Sequence, residues 1–189
     1  MIYQFESLTD KTLNKIIYKY LIHHYGWNVI TDESYSIFSG GTDSGMILSS
    51  FKDGKSTNKD FDRLNFYAET ILNLVLEKSF KKTEHTVIPM FGPAAMKRCF
   101  WNYYHSNSCA EEHFDTLDEN HWSIIYYLND VKGAGTRVID KETNEEILVP
   151  SVAGNAVLFP SHYIHTGTPP SNLDHRCCLN IIFESQHHV

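Results

Sequence analysis

The feature that most restricts the fold is a series of short apolar runs that begins near Thr86 and continues to the end of the chain. Each run is broken by turn residues such as those at 133–135, 142–144 and 169–172. The candidate strands are 86–89, 98–104, 112–114, 122–128, 136–139, 146–149, 156–159, 163–166 and 176–183. Many short strands at near-regular spacing are typical of a sandwich or a barrel. We therefore expect a mainly β body.

The part before Thr86 has a different apolar rhythm, which predicts two helices. The first has Ser7 or Thr9 as its N-cap and Gly26 as its stop, and its expected buried stripe is Leu13, Ile16, Ile17, Tyr20, Leu21 and His24. The second begins near Asp60, with an expected stripe of Leu64, Tyr67, Ile71, Leu74, Val75 and Phe80. Between the helices, the Gly/Ser/Asp-rich stretch 34–50 predicts one or two short strands or, together with the residues up to Phe80, a mobile cover.

The length of 189 residues suits one domain with a single core. We expect residues 1–85 to form a helical and cover region and residues 86–186 to form the β core. No repeat or Pro-rich linker divides the chain.

Composition argues against two classes of partner. A net charge of -7 and the lack of a Lys/Arg run disfavour nucleic acid, because binding to phosphates depends on basic side chains. No apolar stretch approaches the roughly 18 residues that a membrane-spanning helix needs, and the N-terminus does not resemble a signal peptide. Four cysteines without disulfide or zinc spacing favour a reducing compartment. We therefore expect a cytoplasmic protein, and its oligomeric state stays open.

The first candidate site is His113-Phe114-Asp115. On a strand, positions i and i+2 share a face, so the imidazole and the carboxylate would point the same way. The pair carries little weight by itself, because the chain has 11 histidines and His-x-Asp is expected about 0.6 times by chance. A solvated turn before Trp122 is the plain alternative.

Two later residues turn this pair into a possible reaction centre. His165 follows the segment 154–160, and Arg176 opens the apolar run 176–183. Two histidines and one aspartate form the facial triad that suits non-haem Fe(II), leaving three coordination positions for a chelating 2-oxo acid and O2. An Arg on a strand offers a planar fork for the far carboxylate of such an acid.

These motifs resemble those of the 2-oxoglutarate/Fe(II) dioxygenase family, especially its prolyl-hydroxylase-like branch. The resemblance covers Asn102 to Phe183 and rests on His113-x-Asp115, the tract 122–129, the tract 154–160, and His165 with Arg176 eleven residues later. It implies a double-stranded β-helix (jelly roll) of the α+β class, with helices packed on it. It also implies Fe(II) and 2-oxoglutarate, with O2 as oxidant and ascorbate as an optional reductant.

Residue roles also follow from the resemblance. His113, Asp115 and His165 match the iron ligands, and Arg176 matches the residue that pairs with 2-oxoglutarate. Tyr127 matches a position that often reaches the same co-substrate. The further candidates for co-substrate binding are Tyr104, Asn102 and Asn180, and ordinary burial is the plain alternative for all four. His162 competes with His165 as a ligand, although its spacing to Arg176 fits the family less well.

Strand alternation predicts which side chains share the pocket with these residues. If Arg176 faces inward, Cys178 and Asn180 do so too; if Tyr127 faces inward, Ser123 and Ile125 follow.

Four functions remain open at this stage. The resemblance favours hydroxylation of an unactivated C–H bond in a peptide or protein side chain such as proline. The alternatives are a small-molecule hydroxylase acting on a free amino acid, a non-catalytic 2-oxoglutarate- or metal-binding module, and a cupin-type metal enzyme. Position 182 is Ile where nucleic-acid demethylases usually carry a second Arg, which lowers the expectation of a repair role.

Overall fold

The structure is a computed structural model that describes residues 1–23, 27–31, 44–82, 87–106, 108, 111–171 and 174–185. The helices are α1 (Lys11–Ile22) and α2 (Asp62–Lys78), the latter preceded by a 3-10 turn at Lys59–Phe61. The strands are β1 (Tyr3–Phe5), β2 (Asn28–Thr31), β3 (Ser44–Lys52), β4 (Lys55–Ser56), β5 (Phe80–Lys82), β6 (Val87–Pro89), β7 (Ala94–His105), β8 (His121–Tyr127), β9 (Gly135–Ile139), β10 (Glu146–Pro150), β11 (Ala156–Pro160), β12 (His165–Thr168) and β13 (His175–Ser185). A mainly β fold with two helices is confirmed.

Two antiparallel sheets form the body. The main sheet has the order β1-β11-β8-β13-β7-β3-β2, with β4 paired to β3, and the small sheet has the order β10-β9-β12. Strands β5 and β6 form a separate pair. The sheets do not close into a barrel, so the architecture is that of an open jelly roll.

Strand alternation divides the main sheet between two cores, as the sequence predicts. One face of β13 gives Cys177, Leu179, Ile181 and Phe183 to a large core shared with the helices. The other face gives Cys178 to a smaller core that contains Ile125 and Tyr127 of β8 and Val138 of β9. The smaller core therefore lies between the two sheets, on the face that also carries Arg176.

The predicted buried stripe of α1 was right for Leu21 and wrong for Leu13, Ile16 and Tyr20. The buried residues of this helix are Asn14 and Leu21, whereas Leu13, Ile16 and Tyr20 are exposed, Ile16 by 58%. This face of α1 is buried because Asn14 joins a buried polar network. Its amide oxygen accepts hydrogen bonds from Tyr67 Oη at 2.8 Å and from the hydroxyls of Thr9 and Tyr126.

The N-cap of α1 also differs from the prediction. Asp10, and not Ser7 or Thr9, caps the helix, because its carboxylate accepts from Thr12 N at 2.6 Å. The predicted stop, Gly26, and stripe residue His24 lie outside the described residues.

The second helix follows its prediction, and the residues before Thr86 also contribute strands to the main sheet. Leu64, Tyr67, Ile71 and Val75 are buried on α2, whereas Phe80 is exposed. Strand β3 lies within the main sheet beside β7, and α2 contacts that sheet. Strands β3 and β4 and helix α2 are thus parts of the body, and residues 34–43 lie outside the described ranges. Because β1 to β4 come from the first 85 residues, the β body is not confined to 86–186.

Candidate metal centre and co-substrate pocket

An isolated antiparallel bridge brings the two predicted histidine ligands together. His113 N donates to His165 O at 3.0 Å, and His165 N donates to His113 O at 2.8 Å. Residues opposite each other in such a pair present their side chains on the same face. The two imidazole rings are therefore adjacent, with centroids 4.4 Å apart.

Asp115 completes the group from the segment that precedes β8. Its backbone N donates to Ser161 O at 2.9 Å, which fixes the segment beside the end of β11. Its carboxylate oxygen Oδ2 lies 3.7 Å from His165 Nε2. The ligand atoms of His113, Asp115 and His165 all lie within 4.8 Å of one another, and no other described residues form such a group. His162 is therefore not part of this group.

Hydrogen bonds orient all three side chains. His113 Nδ1 lies 2.9 Å from Glu111 O, and His165 Nδ1 lies 3.1 Å from Tyr163 O. A carbonyl only accepts, so each Nδ1 carries the proton and each Nε2 keeps its lone pair for a metal. Ser123 Oγ donates to Asp115 Oδ2 at 2.5 Å. Such outer contacts fix the orientation and basicity of metal ligands.

Protonation favours metal binding at neutral pH. Burial lowers the pKa of His165 to about 4, so its ring is neutral. Burial alone would raise the pKa of Asp115, but the nearby His165 and His113 and the hydrogen bond from Ser123 together hold that pKa below its ordinary value. Two imidazoles and one carboxylate are a donor set that fits Fe(II).

Arg176 is the second unusual residue of this region, and it lies on the inward face of β13. Its side chain is 1% exposed, and Nη2 donates to Thr136 Oγ1 at 2.9 Å. Its Nε and Nη1 have no hydrogen-bond partner among the described residues. A buried cation costs several kcal/mol unless it is paired. The guanidinium is therefore suited to an anionic ligand that it would hold through its remaining donors.

Gly167 provides the space that this guanidinium occupies. A Cβ at position 167 would lie 2.5 Å from Arg176 Nη1. Gly167 faces Thr136 in the register of β12 and β9, so one hydrogen-bonding residue and one glycine form the seat of the guanidinium. Strand alternation places Gly167 on the same face of β12 as His165.

The two tyrosines predicted for the pocket both lie beside Arg176. The guanidinium carbon is 5.3 Å from the Tyr104 ring centroid and 5.6 Å from that of Tyr127. Tyr127 Oη donates to Val149 O at 3.2 Å, and burial raises the pKa of Tyr127 to about 12, so the hydroxyl stays protonated. Both rings thus lie against the guanidinium, on the face where the co-substrate is expected.

The two predicted asparagines lie further along the same face. Asn102 is nearly buried and its side chain bonds to the Cys178 thiol. Asn180 Nδ2 lies 3.4 Å from Asp115 Oδ1, and its Oδ1 has no partner among the described residues. Asn180 therefore lies at the metal end of the pocket and not at the Arg176 end.

Sequence reasoning missed the roles of Thr136, Ser161 and Gly167. Thr136 and Ser161 come from other strands or turns and act through contacts across the fold, so no local pattern identifies them. Gly167 could have been identified from the sequence. It follows the candidate ligand His165 by two residues on a strand, so it shares the face of that ligand, and a glycine there leaves space beside the ligand.

Comparisons with known proteins agree with this geometry. Residues 99–184 match the family model described as the 2OG-Fe(II) oxygenase superfamily. No curated protein sequence matches the chain. Within the described ranges, neither helix has the length and apolarity needed to cross a bilayer.

Solved structures share the fold at low identity. A Pseudomonas putida prolyl-4-hydroxylase is 15% identical, with a TM-score of 0.64 over 97% of this chain and 91% of that chain. A 2OG-Fe(II) oxygenase family oxidoreductase from Burkholderia pseudomallei is 13% identical, with a TM-score of 0.69 over 100% and 87%. A non-haem α-ketoglutarate-dependent epimerase from nogalamycin biosynthesis is 10% identical, with a TM-score of 0.60 over 97% and 76%.

Proposed function

We propose that this chain is a 2OG-Fe(II) oxygenase that hydroxylates an unactivated C–H bond, with Fe(II) held by His113, Asp115 and His165; the match of residues 99–184 to that family model supports the proposal. In this proposal the enzyme is a 2-oxoglutarate-dependent dioxygenase, which the family-model match and the shared fold support. In the proposal, residues 1–189 act as one oxygenase domain in the cytoplasm, and the buried free thiols of Cys99, Cys177 and Cys178 suit a reducing compartment.

The observation that carries the proposal is a single strand face with an unpaired cation at one end and a metal-ligand group at the other. Arg176 and Asn180 are on the same face of β13, with Cys178 between them on that face. Asn180 contacts Asp115 of the ligand group. A dicarboxylate that chelates a metal through one end and needs a cation at the other end fits this arrangement.

Each residue then has a defined task. Arg176 binds the far carboxylate of 2-oxoglutarate, with Thr136 and Gly167 fixing the guanidinium. Tyr127, Ile125 and Phe159 exclude water from the space between the sheets. Ser123 holds the Asp115 carboxylate toward the histidines. Tyr104, Asn102 and Asn180 line the pocket. When bound, iron with O2 supplies the oxidative decarboxylation of 2-oxoglutarate to succinate and CO2 coupled to hydroxylation, with ascorbate as an optional reductant.

For the substrate, we infer a peptide or protein side chain such as proline. The prolyl-4-hydroxylase neighbour supports this class. The second candidate is a small molecule such as a free amino acid, because a cleft of about 310 Å³ beside the ligand group is at the lower end of the range for ligand pockets, about 300–1,000 Å³. A non-catalytic binding module does not need a ligand group with open coordination positions, so it is the weaker alternative.

The deciding experiment is succinate release by the protein with Fe(II), 2-oxoglutarate and O2, against a panel of peptides and amino acids. Arg176→Ala should lower the affinity for 2-oxoglutarate about ten- to hundredfold, since charge-assisted hydrogen bonds contribute roughly 1.5–3 kcal/mol. Arg176→Lys should retain only part of the wild-type affinity for 2-oxoglutarate, because lysine keeps the positive charge but lacks the planar, two-pronged set of N–H donors. If the wild-type protein binds Mn(II), a redox-silent substitute for iron, and 2-oxoglutarate but never releases succinate, the binding-module alternative is favoured.

A further inference from the structure

A polar cleft lies at the end of β13 away from Arg176, and some of its lining residues are neighbours of the metal-ligand group in the sequence or along β13. Its lining residues are Asp53, Lys97, Arg98, Thr116, His121 and Ile182, and its volume is about 310 Å³. Thr116 directly follows the ligand Asp115, and Ile182 follows Asn180 by two residues on the same face of β13. Along β13 the order is therefore Arg176, the ligand group at Asn180, and then the cleft at Ile182.

A β-bulge turns two basic side chains into this cleft. In the pairing of β13 with β7, Ile182 lies opposite Arg98 and Phe183 lies opposite Met96, which leaves Lys97 as the extra residue. Bulges re-aim side chains and occur often beside active sites. The bulge explains how neighbouring residues, Lys97 and Arg98, both line one cleft.

Arg98 differs from Lys97, the neighbouring basic residue of the cleft, in forming no ion pair with a carboxylate among the described residues. Lys97 pairs with Glu184, and His121 Nδ1 lies 3.2 Å from Asp118 Oδ2. Arg98 Nη2 donates to the backbone O of Asp115 at 2.7 Å, and its guanidinium carbon lies 5.7 Å from the Phe100 ring centroid. Across the ranges that the structure describes, no carboxylate forms an ion pair with it. A guanidinium has five N–H donors, so most remain for a ligand.

We propose that Arg98 binds a carboxylate of the primary substrate, and that this substrate is a free amino acid or the C-terminal residue of a peptide. The proposal rests on the proposed function, because 2-oxoglutarate must occupy the Arg176 side for the cleft to receive the substrate. The bond from Arg98 to the Asp115 backbone fixes the guanidinium beside the ligand group. Asp53, at the turn between β3 and β4, gives an acceptor for the ammonium group of an amino acid.

The test compares acids with their amides on the protein loaded with Mn(II) and 2-oxoglutarate. The probes are the twenty standard L-amino acids, their C-terminal amides, and glycyl dipeptides with free or amidated C-termini. Binding is measured by ligand-detected NMR, and succinate release is measured in parallel with Fe(II). We expect at least one acid to bind about ten- to hundredfold more tightly than its amide, as for a charge-assisted hydrogen bond. The free amino acids and the dipeptides then distinguish the two sources of the carboxylate.

Variants separate a substrate contact from a purely structural role for Arg98. Arg98→Gln should remove the preference for acid over amide, and Arg98→Lys, which also serves if the glutamine variant does not fold, should reduce it. Arg63→Gln removes an exposed guanidinium on α2 and should keep the preference. If Arg98 had only a structural role, Arg98→Gln would weaken the binding of acids and of amides equally.

Two outcomes would overturn the inference: no acid binds better than its amide, or Arg98→Gln keeps the preference. These outcomes differ from failure of the proposed function, in which the Mn(II)-loaded protein does not bind 2-oxoglutarate at all.

Discussion

Replacing Gly167 by alanine tests the pocket through one added methyl group. The new Cβ would lie 2.5 Å from Arg176 Nη1, and it would have to reach about 3.4 Å for an ordinary contact. The guanidinium must therefore move by about 0.9 Å. It cannot do so freely, because the side chain is 1% exposed and Nη2 is bonded to Thr136.

The size of the effect follows from this displacement. Losing a well-aligned charge-assisted bond costs roughly 1.5–3 kcal/mol, which is about ten- to hundredfold in affinity for 2-oxoglutarate. Overpacking of a buried site adds a destabilisation of about 1–3 kcal/mol. For a chain of this length, each kcal/mol lowers the melting temperature by roughly 2–4 °C. Metal affinity should change little, because the metal ligands are other residues.

The assay is a titration of 2-oxoglutarate into the Mn(II)-loaded protein, with Mn(II) affinity and melting temperature measured on the same samples. Arg176→Ala and the double variant with Gly167→Ala complete a cycle. If the added methyl group acts by displacing the guanidinium, the double variant should bind 2-oxoglutarate almost as well as Arg176→Ala alone. Equal 2-oxoglutarate affinities of wild type and Gly167→Ala, or full additivity in the cycle, would refute the assignment of this seat.

Three further predictions concern the metal group and the helix. Asp115→Ala should lose most metal affinity and nearly all 2-oxoglutarate turnover while a melting curve still shows a folded protein; normal turnover would exclude Asp115 as a ligand. Ser123→Ala should weaken Mn(II) about 10- to 100-fold in an EPR titration, since it removes the hydroxyl that holds the Asp115 carboxylate, and unchanged affinity would contradict this role. Leu21→Ala should cost about 2–5 kcal/mol in denaturant unfolding, whereas Ile16→Ser should stay within about 0.5 kcal/mol; the reverse order would mean that α1 presents its other face to the sheet.

The sequence alone determined which face of each central strand carries chemistry. Because side chains alternate along a strand, one inward residue fixes its neighbours at every second position. Arg176, Cys178 and Asn180 share a face of β13, and Ser123, Ile125 and Tyr127 share a face of β8, as expected. The candidate ligands were also identifiable, since the spacing within His113-x-Asp115 is local.

Local patterns were less informative where two readings of the same residues were possible. In α1, the predicted stripe combined Leu21, which is buried, with residues that are exposed, namely Leu13, Ile16 and Tyr20. The buried side is the one whose polar residue, Asn14, finds partners in Tyr67 and Tyr126. That choice depends on α2 and β8, which the helix pattern does not contain.

Only the tertiary structure decided which distant residues complete the site. Thr136 and Gly167 form the seat of Arg176, Ser161 positions Asp115, and Arg98 reaches the backbone of the same aspartate. Each of these contacts joins residues from different strands or from a strand and a turn. Sequence periodicity fixes the direction of a side chain relative to its own strand, but the pairing of strands and the packing of sheets fix what that side chain meets.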